Sequence, residues 1–256
     1  MGGEQNGCAV VTGGAGGVGQ AVARRLVAAG YDVALAGRHR ETLEGAAREI
    51  EKGGRRVVPV AFDVADRAAV ERGVREARAA LGPVRVVVNA AGIAESSAVL
   101  PPDDALFDRT LATNVRGPWV VTTACLPDMV AARRGVVVNV ASTAGLRGFK
   151  YVAAYVASKH ALVGLTRALA EDLRGKGVAV HAVCPGFLDT PMTERTVAKI
   201  MAATGRTREQ AIADVLATDR QPRLLTPDEV AAAVMALVAD ASGTGSPFRT
   251  GSIVEL

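Results

Sequence analysis

The amino-acid sequence predicts an α/β protein built on a doubly wound parallel sheet, in a single domain over residues 1–256. Three observations carry that expectation. Short β-branched runs alternate with longer Ala/Leu/Arg stretches along most of the chain, the pattern of strands each followed by a crossover helix. The runs include Val86-Val87-Val88 and Val136-Val137-Val138, apolar on both faces as a sheet covered on both sides requires. The first run leads straight into a glycine-rich turn and then a helix, Thr12-Gly13-Gly14-Ala15-Gly16-Gly17-Val18-Gly19.

Taken in order, strands are expected at Ala9–Thr12, Asp32–Ala36, Arg56–Val60, Val84–Asn89, Gly135–Val140 and Val178–Val183. Helices are expected between them near Val18–Ala29, Glu41–Lys52, Arg67–Leu81, Pro118–Ala132 and Val152–Arg174. The period breaks after Pro185, and prolines 191, 222 and 227 frame mixed polar, helix-like sequence. Residues 187–225 therefore read as a helical lid over a substrate site. A last helix, Pro227–Ala239, follows an N-cap at Thr226, with Asp228 and Glu229 placed well against its dipole. Thr250–Leu256 reads as a clipped last strand.

Composition narrows the classes. With 49% apolar, 22% charged and only 4% aromatic residues, the chain is neither disordered nor fibrous. The formal charge of +4 comes from short scattered groups such as Arg24-Arg25 and Arg133-Arg134, a solvated pattern that does not suit nucleic-acid binding. Cys8, Cys125 and Cys184 are far apart and lack any C-x-x-C spacing, which suits reduced thiols in a cytoplasmic protein and implies no metal site. Met1–Asn6 has no basic region leading into an apolar run, and no segment approaches a membrane span, so a secreted or membrane-spanning protein is not expected.

Glycines at a first βα turn let the backbone approach a pyrophosphate, whose charge the helix N-terminus stabilises. Gly13, Gly16, Gly17, Val18 and Gly19 are accordingly candidates for dinucleotide binding on a Rossmann-like sheet. Where an acidic residue would take the ribose hydroxyls of NAD, the end of the second strand has Gly37, followed by Arg38-His39-Arg40. With no carboxylate to repel a 2′-phosphate, and Arg38 (with Arg40 or His39) able to pair with it, NADP(H) is favoured over NAD(H). A plain basic surface turn is the alternative. Asp63, with Val64 after it, closes the third strand and either accepts from an adenine amino group or caps the helix that begins near Asp66.

Tyr155 and Lys159 lie one helical turn apart on one face. A nearby cation favours a phenolate, whose unperturbed pKa is about 10; taken alone, the spacing is equally that of a packing pair. Together with Thr12-Gly13-x-x-x-Gly17-x-Gly19, Asn89-Ala90-Ala91-Gly92, Asn114, Ser142 and Pro185-Gly186, it resembles the short-chain dehydrogenase/reductase family over nearly the whole chain. The resemblance implies that Ser142 polarises a carbonyl and Tyr155 passes the proton. Lys159 would bind the nicotinamide ribose and lower the tyrosine pKa, and Asn114 would hold a water linking Lys159 to solvent. It also implies that Asn89, Ala91 and Gly92 line the adenosine-ribose pocket with Ile93 nearby. Pro185, Gly186 and Thr190 would flank the nicotinamide, and a dimer or tetramer would form. Departures are Ala90 for the usual second asparagine and the missing glycine pair after the last strand. None of His39, His160 and His181 is expected to act as a general base.

Within the family, the Val183–Met192 and Tyr155–His160 segments resemble bacterial ketoreductases acting on 3-oxoacyl thioesters and aromatic polyketides, while Gln221–Pro227 is similar to 3-hydroxybutyrate dehydrogenases. The latter hold a small carboxylate with a histidine and a lysine at the positions of Ala144 and Val152 here. A small-molecule β-keto ketone or its alcohol, larger, less charged and possibly thioester-linked, is the expected substrate. Arg147 and Lys150 could reach a phosphopantetheine phosphate or simply sit in a solvated loop. An NAD(H)-dependent hydroxyacyl dehydrogenase and a catalytically idle NADP-binding regulator are the alternatives.

Overall fold

Valine-rich strands and amphipathic helices alternate through the computed structural model, which describes residues 7–51, 55–241 and 250–256. Met1–Asn6 and Lys52 lie outside the described residues. The first half comprises β1 (Cys8–Thr12), α1 (Gly17–Ala28), β2 (Asp32–Gly37), α2 (Arg40–Glu51), β3 (Val57–Ala61), α3 (Arg67–Leu81) and β4 (Val84–Asn89). Then come α4 (Asp104–Leu111), α5 (Gly117–Ala131), β5 (Gly135–Val140), α6 (Ala153–Asp172) and β6 (Val178–Cys184). The chain closes with α7 (Pro191–Thr204), α8 (Arg208–Asp219), α9 (Pro227–Ala241) and β7 (Ile253–Glu255).

The strands form one parallel sheet in the order β3-β2-β1-β4-β5-β6-β7. The order reverses at β1, and the carboxyl ends of β1 and β4 flank the crevice this leaves. Alternate valines feed opposite layers, as strand geometry dictates. Val86, Val88, Val136 and Val138 pack with Leu26, Ile50 and Leu237 of α1, α2 and α9. Val87 and Val137 face the other way, onto Val74, Met129 and Leu169 of α3, α5 and α6. Each such side chain, fully buried, contributes about 1.5–3 kcal/mol.

The expected elements are present, with helix and strand ends that move by one or two residues, and the clipped last strand is shorter than Thr250–Leu256, pairing with β6 through Ile253–Glu255. Two features were not expected. Asp103 accepts from the Leu106 amide at 2.8 Å and starts α4 there, and a π-turn over Ala112–Arg116 joins α4 to α5 without a break. Pro118 sits in the first turn of α5, where its missing N–H costs nothing. Residues 187–225, the expected lid segment, contain two helices, α7 and α8. Thr207 and Gln210 form a capping box on α8, and Gly205 ends α7 at φ +69°. Thr226 caps α9 as expected, accepting from the Glu229 amide at 3.3 Å. No helix among the described residues is long and apolar enough to cross a membrane.

Candidate active site

The glycine loop leaves β1 with Gly13 at φ +66°, where a Cβ would lie 2.9 Å from the Ala90 and Ala91 backbone. A Cβ on Gly19 would come within 2.8 Å of the Gly13 carbonyl carbon. Only glycine fits at either place. Gly16 is the N-cap of α1 and offers no side chain to its amides, so the first turn presents its N–H groups as an anion site requires. Thr190, the N-cap of α7, likewise makes no capping bond with its hydroxyl. Its methyl lies 3.6 Å from where a Cβ on Gly17 would be, so α7 begins against the glycine loop. These residues fit a dinucleotide.

Around this loop the structure distributes the expected contacts unevenly. Arg40 is paired with Glu44 at 3.1 Å, whereas Arg38 is exposed and has no partner among the described residues. Asp63 does not cap α3. Asp66 does, accepting from the Ala69 amide at 3.1 Å, while Asp63 closes a tight turn by accepting from Ala65 at 2.9 Å. The Val64 side chain is buried and faces Gly117 of α5, where a Cβ would meet it at 2.8 Å.

Asn89 is 2% exposed, and its amide donates to Thr122 at 3.1 Å and to Asn139 at 2.9 Å. Its side chain thus joins β4 to β5 and α5, leaving only its main chain at the crevice. Asn139 continues this interior network to Thr166 at 2.9 Å. Sequence reading missed Asn139, although a polar residue ending a valine run in register with Asn89 was a usable signal. Thr12, also missed, takes over part of the work of the absent second asparagine by accepting from the Ala90 and Ala91 amides at 3.1 Å each.

Ser142, Tyr155, Lys159 and Asn114 do come together. Ser142 follows β5 as the N-cap of a short turn over Thr143–Gly145, accepting from the Ala144 amide at 3.1 Å. Its hydroxyl also lies near the Tyr155 phenol and favours the ionised form there. Lys159 reaches back to the end of β5, donating to the Val140 carbonyl at 2.8 Å, with its ammonium 5.6 Å from the Tyr155 ring centroid. Asn114, within the π-turn, accepts from the Ile93 amide and donates to the Ile93 carbonyl, both at 2.9 Å, and donates to Ser158 at 3.0 Å. Ser158 in turn donates to the Tyr155 carbonyl at 2.7 Å. The Asn114 amide is thus committed to placing the α6 turn between Tyr155 and Lys159 against the Gly92-Ile93 segment.

Electrostatics correct one expectation. The Tyr155 phenol is raised above its ordinary pKa, chiefly by removal from water, with the neighbouring Ser142 hydroxyl acting in the opposite sense. Lys159 does not lower it here, because its ammonium lies over the ring and bonds to a carbonyl. Burial also lowers Lys159 from 10.5 to about 8, since removal from water disfavours the charged form. The site therefore holds a protonated phenol beside a lysine that titrates not far above neutrality.

Arg147 does not project as a free phosphate partner. It pairs with Glu255 and approaches Asp219 at 3.5 Å. Ala144 is buried, so no cation stands two residues after Ser142, and Lys150 is exposed. No metal-holding group of acidic, histidine and cysteine residues exists among the described residues.

The family described as short chain dehydrogenase matches residues 7–200. A Streptomyces violaceoruber protein named as a ketoacyl reductase of the granaticin polyketide synthase is 39% identical over 236 residues, 91% of this chain and 86% of that one. The 3-oxoacyl-(acyl-carrier-protein) reductase of Thermotoga maritima is 30% identical over 245 residues, 96% of this chain and 94% of its own. Among solved structures, a variant of actinorhodin polyketide ketoreductase with NADPH superposes with a TM-score of 0.90 at 32% identity, covering 100% of this chain and 97% of that one. With that match and the Ser142, Tyr155 and Lys159 geometry at the crevice, the chain belongs to the short-chain dehydrogenase/reductase family of oxidoreductases.

Proposed function

We propose that this enzyme uses NADP(H) to reduce a β-keto compound, of the class of 3-oxoacyl thioesters, to the secondary alcohol. The observation that carries the reading is the half-buried Tyr155 phenol beside Ser142, with the Lys159 ammonium 5.6 Å from its ring centroid. The Gly13–Gly19 loop would hold a reduced nicotinamide dinucleotide, which would supply the hydride. Negative charge then develops on the substrate carbonyl oxygen, where two hydroxyl donors stabilise it without a metal. Ser142 donates a hydrogen bond to that oxygen and Tyr155 delivers the proton. A phenol held above its ordinary pKa is protonated at neutral pH and is therefore in the form that reduction needs as its proton donor. Lys159, with a pKa near 8, restores the phenolic proton and draws its own from solvent, through a water held beside Asn114.

Preference for NADP(H) is supported by Arg38 standing free at the end of β2, with Gly37 in place of a carboxylate. The NADPH in the actinorhodin ketoreductase structure points the same way. The less charged substrate is supported by Ala144 and Val152 and by the engagement of Arg147, which leave no cation for a small free acid. Tyr155→Phe tests the mechanism. Turnover of an acetoacetyl thioester, followed by loss of the reduced-nicotinamide absorbance, should fall at least about a hundredfold while NADPH affinity stays within about twofold. Turnover close to that of the parent would refute it.

A further inference from the structure

We propose that Asp219, at the end of lid helix α8, is a positioning residue that ties the lid to the turn carrying Ser142. The inference rests on the ketoreductase reading for its effect on turnover, though not for its structural content. Asp219 is a carboxylate with a side chain only 2% exposed, and burying such a group is unfavourable unless it is paired. Its Oδ2 accepts from the Thr143 hydroxyl at 2.7 Å, one residue beyond Ser142. On its other side Arg147 approaches Oδ1 at 3.5 Å, which balances the charge.

The contact is one member of a continuous junction. The Thr143 amide donates to the Pro185 carbonyl at 3.0 Å, so the serine turn is bonded to the exit of β6. Gly186 follows, and a Cβ there would stand 2.7 Å from Asp219 Oδ2, which requires glycine for the carboxylate to approach. Gln221 then clasps Phe187, accepting from its amide at 2.7 Å and donating to its carbonyl at 2.8 Å. The Leu225 amide donates to the Phe187 carbonyl at 3.0 Å and the Asp189 amide to the Leu225 carbonyl at 2.8 Å. Both ends of the lid are thereby stapled together, and Asp219 is the side chain that extends the staple to the serine turn. A displaced α8 would withdraw the acceptor from Thr143 and release the hydroxyl donor that Ser142 presents to the substrate carbonyl. Lid placement and completion of the donor pair become a single event.

The test uses the full-length protein and the variants Thr143→Val, Thr143→Ser and Asp219→Asn. Thr143→Val should lower kcat about tenfold or more, the scale of a buried hydrogen bond to a charged group, with KM for NADPH unchanged. Thr143→Ser, which keeps the donor, should stay within about twofold of the parent, and Asp219→Asn, which keeps an acceptor, should fall between them. Hydrogen exchange gives a readout independent of activity, in which Thr143→Val should speed exchange at the Phe187, Asp189 and Leu225 amides while leaving the α1 amides as they were. Unchanged exchange at those three amides overturns the inference, as does a serine variant that behaves like the valine one. Faster exchange with full kcat also overturns it. A parent without ketone turnover refutes the ketoreductase reading instead, and the exchange experiment still decides the structural link.

Discussion

Replacing Lys159 with methionine should change how stability depends on pH, and by an amount set by burial of the ammonium. Lys159 is 5% exposed and its pKa falls from 10.5 to about 8 on folding. The folded state thus binds the lysine proton less tightly than the unfolded chain, so the lysine destabilises the fold wherever it is charged. The penalty is fully present below pH 8 and fades as pH rises from 8 to 10.5, because in that window the unfolded chain holds more protons. At 1.36 kcal/mol per pKa unit, integration gives about 3 kcal/mol at pH 7, about 2 at pH 9 and about 1 at pH 10. Methionine carries no titrating group, and its loss of the Val140 contact is the same at every pH. Wild type should therefore gain about 1 kcal/mol relative to Lys159→Met between pH 7 and pH 9. For a domain of this size that is about 2–4 °C in the difference between the two melting temperatures. Thermal unfolding of both proteins across this range measures it, and ionisable groups not coupled to Lys159 cancel in the difference; Cys184, which is coupled to it, is held above its ordinary pKa of 9.0. A gap that stays constant, or that moves in favour of the variant as pH rises, would refute burial as the cause of the lowered pKa.

Arg38→Asp should weaken NADPH binding by about ten- to a hundredfold, the loss of a charge-assisted pair plus new repulsion, and leave NADH within about twofold; titrations monitored by nicotinamide fluorescence decide it, and an unchanged preference places the selectivity elsewhere. An acetoacetyl thioester should exceed free acetoacetate in kcat/KM by about tenfold or more, since a buried free carboxylate would meet Ala144 and Val152 where it needs cations. The reverse ranking in steady-state assays would favour a 3-hydroxybutyrate-type dehydrogenase.

What could be read from the sequence was whatever depends on neighbours along the chain. The valine runs of β4 and β5 are long enough to reveal a sheet buried on both faces, and the glycines at 13 and 19 are required by backbone contacts within one loop or with the adjacent strand end. The junction of Thr143, Asp219 and Gln221 was not legible, because its contacts join residues 34 to 76 positions apart and no periodicity marks them. The start of α4 was missed for another reason. Pro118 reads as a helix start, whereas the π-turn before it lets the helix run on from Asp104.

The Tyr155 and Lys159 pair shows where the two kinds of information part. Four-residue spacing brings a phenol and an ammonium to one face of α6, and from that proximity alone the ammonium should pull the phenol toward ionisation. Burial reverses the outcome. The same enclosure that raises the phenol lowers the lysine, because both charged forms lose water and the ammonium finds its hydrogen bond at the Val140 carbonyl rather than at the phenol oxygen. A tyrosine that remains protonated is the proton donor that a carbonyl gaining charge needs. Helical spacing determines which groups meet, while the surrounding sheet and helices determine the protonation states in which they meet.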